Sequence, residues 1–211
     1  MAKQQSADFS SRAIYLLRHA EPAAAPGGKR YIGWSDPPLS PAGIDQAEKW
    51  QPFFSAAELS AVFCSDLRRS RQTAELVAVN CPLQIHALPE LREIHLGAWE
   101  GRTFEEVRRE DPQGFEQRGQ DPVGFRPPGG ESFGDLGQRV VPIFQQILSD
   151  TSGNILIVGH AGVNRVLLCH VLGLPLAHLF RLEQNYAALN VITVEPIGFR
   201  LQALNRCLHR V

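Results

Sequence analysis

The sequence predicts an α/β fold in a single domain, a mostly parallel sheet of apolar strands covered by helices on both faces. Three observations carry this. The continuous apolar runs "AIYLLRH" (13–19), "AVFCS" (61–65) and "NILIVGH" (154–160) read as strands buried on both sides. Helical patterns separate them, and that alternation builds parallel sheets. The 211 residues, 44% hydrophobic and 20% charged, show no repeat or shift in composition that would divide the chain.

Taken in order, "MAKQQSADFSSRA" is polar with no apolar core, so residues 1–12 read as a flexible leader and 13–211 as the domain. After the first strand, "PAAAPGGKRYIGWSDPPLS" (22–40) is a Pro/Gly-rich loop. Ser40 followed by Pro41 signals a helix start, with the helix expected over 41–57. A second strand at 61–65 leads into a helix over 67–79, with Leu67, Ala74 and Val77 on its buried face. "LQIHAL" (83–88) is a third strand and 102–111 a short charged helix. Residues 112–132 read as irregular apart from a helical turn. Phe133, Leu136, Val140, Phe144 and Ile147 recur at helical spacing, which predicts a helix over 132–150. Pro142 inside it costs ~3 kcal/mol unless the helix kinks. The strand at 154–160 precedes helices at 162–172 and 175–182, and "ALNVITVEP" and "GFRLQALN" close the sheet as an antiparallel edge.

A formal net charge of −1 gives no general reason to bind nucleic acid or an anionic membrane. No apolar run is long enough to span a bilayer. Cys64, Cys81, Cys169 and Cys207 are widely spaced, as expected of reduced thiols in a cytoplasmic protein. That spacing favours neither a zinc site nor a redox motif, and no metal or cofactor is called for.

Chemistry concentrates at three strand ends. One strand ends in Arg18–His19, another in His160, and a third runs into Arg68, Arg69 and Arg71. Ligands of open α/β sheets bind outside the carboxyl ends of the strands, so neighbouring strands would bring these cations to one crevice. Helix N-termini after Ser65 and His160 would add backbone N–H groups. The fitting guest is phosphate. Read singly, each residue is as well explained as a turn residue or a solvated arginine.

The motifs together resemble the histidine phosphatase superfamily, which includes the cofactor-dependent phosphoglycerate mutases. "LLRHAE" is similar to its Arg-His-Gly-Glu signature, and "GWSDPPLSPAGIDQA" to the helix start that follows. "SDLRRSRQTAE", "LREIHLGAWEG" and "VGHAGVNR" resemble its second-arginine, acid and second-histidine motifs. The resemblance implies a three-layer α/β/α sandwich and phosphomonoester hydrolysis through a phosphohistidine. His19 would be the nucleophile, kept neutral by nearby arginines, with Arg18, Arg69 and His160 stabilising the charged transition state. Glu93 would be the general acid, ahead of the rivals His95 and Glu100, a role that asks for partial burial. The implied substrate contacts are Arg18, Arg69, His160, Ala161 and Gly33.

The chain departs from the pattern at Ala20 and Ala161, where glycine is usual, and at Ala25, where asparagine is frequent. The segment after the acid motif is short and acidic, unlike the longer basic insertion of the mutases, which favours a phosphatase. "RPPGGES" resembles the α-ribazole phosphatase branch. A mutase or a non-catalytic phospholigand-binding protein are the alternatives. The expected partner is a small phosphate ester, with a homodimer compatible but not fixed. Trp34, Trp99, Tyr31, Phe115 and Phe125 either line the mouth of the site or pack as local core, and Arg30 and Arg126 either meet a second anion or face solvent.

Overall fold

The computed structural model describes residues 12–23, 28–196 and 198–208. Among them six strands form one sheet: β1 (Arg12–Arg18), β2 (Leu59–Cys64), β3 (Ile85–Ala87), β4 (Asn154–Gly159), β5 (Leu189–Glu195) and β6 (Gly198–Arg206). Their spatial order is β3-β2-β4-β1-β5-β6. The first four are parallel, while β5 runs antiparallel to β1 and β6 antiparallel to β5. Arg12, placed in the leader by the sequence, opens β1, and the rest of the expected leader lies outside the described residues, as does Ala25.

The helices are α1 (Pro41–Glu48), α2 (Gln51–Ser55), α3 (Arg68–Val77), α4 (Phe104–Glu110), α5 (Pro112–Gln120), α6 (Phe133–Asp150) and α7 (Ala161–Leu172). Alternate residues of β1, β2, β4 and β5 feed two cores, which is why the central strands read as unbroken apolar runs. Ile14, Leu16, Ile155 and Ile157 pack with α6 and α7 on one face. Leu17, Leu156 and Val158 pack with α1, α2 and α3 on the other. The result is the expected three-layer sandwich.

Two local expectations need correction. The single helix over 41–57 is two helices broken at Lys49–Trp50. Pro52 has no N–H to continue the first helix but fits the opening turn of a second. Residues 112–120, read as irregular apart from a helical turn, form α5. Asp111 caps it by accepting from the Gly114 N–H at 3.0 Å, with Pro112 in the first turn. This is the same cap-then-proline signal as Ser40–Pro41, obscured by Gly114 and Gly119. Pro142 does not end α6, because both it and Gln138, whose carbonyl loses its partner, are exposed to solvent. The short helix expected at 175–182 is a 3-10 helix over 176–181.

Candidate active site

The sheet order brings the three cationic strand ends together. β4 lies between β1 and β2, and the parallel register sets Arg18 beside Gly159 and Cys64 beside Val158. His19 and His160 therefore each follow a paired position, and the His19 N–H donates to the Gly159 carbonyl at 2.9 Å. Their ring centroids are 5.0 Å apart. Of the three arginines after β2, Arg68 and Arg71 are exposed, whereas Arg69 is 1% exposed and turns into the site.

The environment of His19 selects its tautomer. Nδ1 lies 2.8 Å from the Ala20 carbonyl, which can only accept, so Nδ1 carries the proton. Nε2 then holds the lone pair and faces Arg69 Nε at 3.3 Å, a long contact easily exchanged. Burial, then the charges of Arg69 and Arg18, push the imidazole well below its ordinary pKa, with the Ala20 carbonyl opposing them. His160 is pushed the same way by burial, then by Arg69, His19, Arg18 and Arg139. Fully buried, His160 has no hydrogen-bond partner for either ring nitrogen among the described residues. An unmatched buried polar group costs about 1–3 kcal/mol, which a phosphoryl oxygen accepting its N–H would offset.

The two arginines are fixed differently. Arg69 donates from Nη1 to the Ser35 carbonyl and from Nη2 to the Gly33 carbonyl, both at 2.7 Å. Each terminal nitrogen keeps a second N–H for a ligand. Arg18 donates to the Gln184 carbonyl at 2.7 Å and lies 3.9 Å above the Tyr186 ring. Gln184 is locked in turn by a reciprocal amide pair with Asn190, which also donates to the Leu16 carbonyl.

Glu93 is 8% exposed. Its Oε2 accepts from the Gly162 N–H in the first turn of α7, and its Oε1 from the N–H of Ile94. Arg139, paired with Glu131, donates to the carbonyls of Glu90, Arg92 and Glu93 and holds this segment in place.

The rival Glu100 has another task. It accepts N–H groups from Gly33, Trp34, Ser35 and Leu96 and the Ser35 hydroxyl, organising the loop whose carbonyls hold Arg69. Burial alone would raise its pKa, but the hydrogen bonds from Ser35, Trp34 and Leu96 together hold it below the ordinary carboxylate value. His95 packs its ring on Trp34. Gly33 directs its N–H to Glu100 and its carbonyl to Arg69, so it stands behind the arginine; a side chain there would collide with the Ile94 carbonyl.

A cleft of about 950 Å³ opens beside this cluster, with Arg18, Ala161, Arg30, Ile32, Phe104, Arg165 and Tyr186 among its lining residues. Of the aromatic residues expected at the mouth, Tyr31 and Trp99 are buried, Phe115 and Phe125 pack against the core, and Trp34 is exposed with its Nε1 donating to the Glu93 carbonyl. Arg126 is paired with Asp135. Phe104 and Tyr186 line the cleft instead. Phe104 lies in a helix read only for its charges, and nothing local in the sequence marks Tyr186. Among the described residues no cluster of three or more His, Cys, Asp or Glu could hold a metal, and no helix is long and apolar enough to cross a membrane.

A sheet-end site with two arginines, two neutral histidines and a buried carboxylate is that of a phosphatase, and the chain belongs to the histidine phosphatase superfamily, branch 1, whose sequence model matches residues 14–206. It is similar to the adenosylcobalamin/alpha-ribazole phosphatase of Salmonella typhimurium, 35% identical over 82% of this chain and 86% of that one. The crystal structure of the alpha-ribazole phosphatase from Shigella flexneri superposes with a TM-score of 0.85 at 30% identity, covering 92% of this chain and 96% of that one. A probable phosphoglycerate mutase, GpmB, of Yersinia pestis is 34% identical over 80% of this chain and 78% of its own.

Proposed function

We propose that this protein hydrolyses small phosphate monoesters through a phosphohistidine on Nε2 of His19. α-Ribazole phosphate, the substrate in its relatives' names, is the lead candidate. The observation that carries this reading is the His19 tautomer, with the lone pair on the nitrogen that faces Arg69.

In the first step Nε2 attacks phosphorus; an N–P bond forms and the ester P–O bond breaks. Glu93 gives its proton to the departing alkoxide. Charge spreading over the equatorial oxygens meets Arg18, Arg69 and one N–H of His160, with the Ala161 N–H at the start of α7 as a further donor. In the second step water attacks phosphorus, Glu93 takes its proton, and the N–P bond breaks to release inorganic phosphate.

A mutase is the less supported reading. Between the acid motif and α6, Arg102 and Arg109 pair with Glu110 and Arg126 with Asp135, so these cations are answered locally rather than offered to a substrate. A cytoplasmic setting belongs to the same proposal and is supported by the free thiols of Cys64, Cys81, Cys169 and Cys207.

The test is hydrolysis of a chromogenic aryl phosphate by EDTA-treated protein, wild type beside His19→Ala, with an alkaline quench to trap phosphate on the protein. Turnover and a trapped phosphoryl group in the wild type alone are expected. Equal turnover by both proteins would remove His19 from its role, and no turnover would leave phospholigand binding. A panel of α-ribazole phosphate and phosphoglycerates then ranks the substrates.

A further inference from the structure

Tyr186 is 36% exposed and belongs to neither apolar core. It borders the active-site cleft and a second cavity of about 560 Å³, which has Lys49, Trp50 and Cys207 among its lining residues. Its ring nonetheless has a fixed place. The Arg18 guanidinium carbon lies 3.9 Å from the ring centroid, and the His19 ring lies 5.6 Å away.

The backbone beside the ring sets that place. Ala187 has a φ of 52°, in the left-handed region that a Cβ makes costly. Three hydrogen bonds hold the chain there. The Ala187 N–H donates to the His19 carbonyl at 3.2 Å, and the Trp50 indole donates to the Ala187 carbonyl at 2.8 Å. The Asn185 N–H donates to Asn205 Oδ1 at 2.7 Å. A strained turn is thus tied to the strand end that carries Arg18 and His19, and it presses a ring against Arg18.

The two arginines of the site are held in opposite ways. Arg69 is anchored edge-on by two carbonyls that accept from its terminal nitrogens. Arg18 donates to the Gln184 carbonyl, and its buried Nε has no hydrogen-bond partner among the described residues. A guanidinium held by one hydrogen bond can turn about it. A ring on its face stops that turn and consumes none of its donors. The remaining N–H groups, all in one plane, stay available to an anion.

We infer that Tyr186 is a positioning residue whose ring fixes the plane of Arg18, so that the unspent N–H groups meet the phosphoryl oxygens. The inference rests on the phosphatase reading and adds to it a residue that acts through Arg18.

The experiment measures inorganic phosphate binding by calorimetry and hydrolysis of an aryl phosphate. It compares the wild type, Tyr186→Leu, Tyr186→Phe, Arg18→Ala and the double variant Arg18→Ala/Tyr186→Leu. Tyr186→Leu should melt close to wild type, because the ring lies outside both cores. It should bind phosphate about tenfold more weakly, with kcat/KM down by a similar factor. Tyr186→Phe, which keeps the ring face, should recover both. In the Arg18→Ala background the Tyr186→Leu change should have no further effect, as for two residues that act as one. Unchanged phosphate affinity in Tyr186→Leu, an equal loss with and without Arg18, or a loss in Tyr186→Phe as large as in Tyr186→Leu overturns the inference. Failure of the phosphatase reading would show separately, as phosphate binding that depends on Tyr186 in a wild type that hydrolyses nothing.

Discussion

The Gly162 N–H donates to Glu93 Oε2 at 3.0 Å, joining the proposed proton donor to the helix that follows His160. Two parts of the candidate site distant in sequence thus share one backbone contact, and a small change at Gly162 reaches the carboxylate directly.

A methyl group at Gly162 would run into Glu93 Oε1, with the Phe133 ring next at 3.2 Å. The carboxylate is the end of a side chain and can swing away, so Gly162→Ala is expected to fold with a melting temperature close to wild type. Its kcat should fall about 100-fold, the scale of a lost general acid. The fall should be larger for alkyl esters than for aryl esters, whose phenolates leave without a proton. Equal losses on both would contradict the link to Glu93.

Arg69 holds two carbonyls with its terminal nitrogens and faces His19 with Nε. Lysine has one charged nitrogen and no planar fork. Arg69→Lys is expected to lower kcat about 10²–10³-fold, as for a lost oxyanion donor. A loss under tenfold would show that charge alone suffices there.

The buried histidines make stability depend on pH. Both have folded-state pKa values well below 6.5 because of burial and nearby arginines. In the window between those depressed values and 6.5 the unfolded chain binds more protons, so stability falls as pH falls. The limiting slope is about 1.4 kcal/mol per pH unit for each histidine. Melting temperature from pH 8 to 5 should decline in the wild type and decline less in His19→Gln/His160→Gln. Parallel curves would show that these residues do not titrate on unfolding.

Glu100 gathers four backbone N–H groups that would otherwise face one another. Glu100→Gln replaces one acceptor oxygen with a donor, and is expected to cost about 2 kcal/mol in denaturant unfolding. Activity should fall as well, through the Gly33 and Ser35 carbonyls that hold Arg69. Unchanged stability would mean that this loop is organised by its ends.

Much of the fold was legible because the central strands are buried on both faces, so burial left no alternation to misread. Arg18, His19 and His160 stood out where unbroken apolar runs met charge. Arg69 could not be separated from Arg68 and Arg71 by composition, because its burial is decided by the rotation of α3 against the sheet. α5 was missed because two glycines masked a cap that the chain had already used before α1. The work of Glu100 was hidden because a carboxylate binding backbone N–H groups leaves no trace in the identity of its partners.

The position of β4 between β1 and β2 has a consequence for synthesis. Neither earlier strand pairs with the other; β2 can pair early with β3, but β1 pairs only with β4 and β5, made when residue 154 and its successors leave the ribosome. At about 5–20 residues per second, a nascent chain carries Arg18, His19 and Arg69 for several seconds with no strand between β1 and β2 to align them. The strand that sets Arg18 and His19 beside Arg69 is thus the fourth of six to be made, and the cluster can assemble only after it.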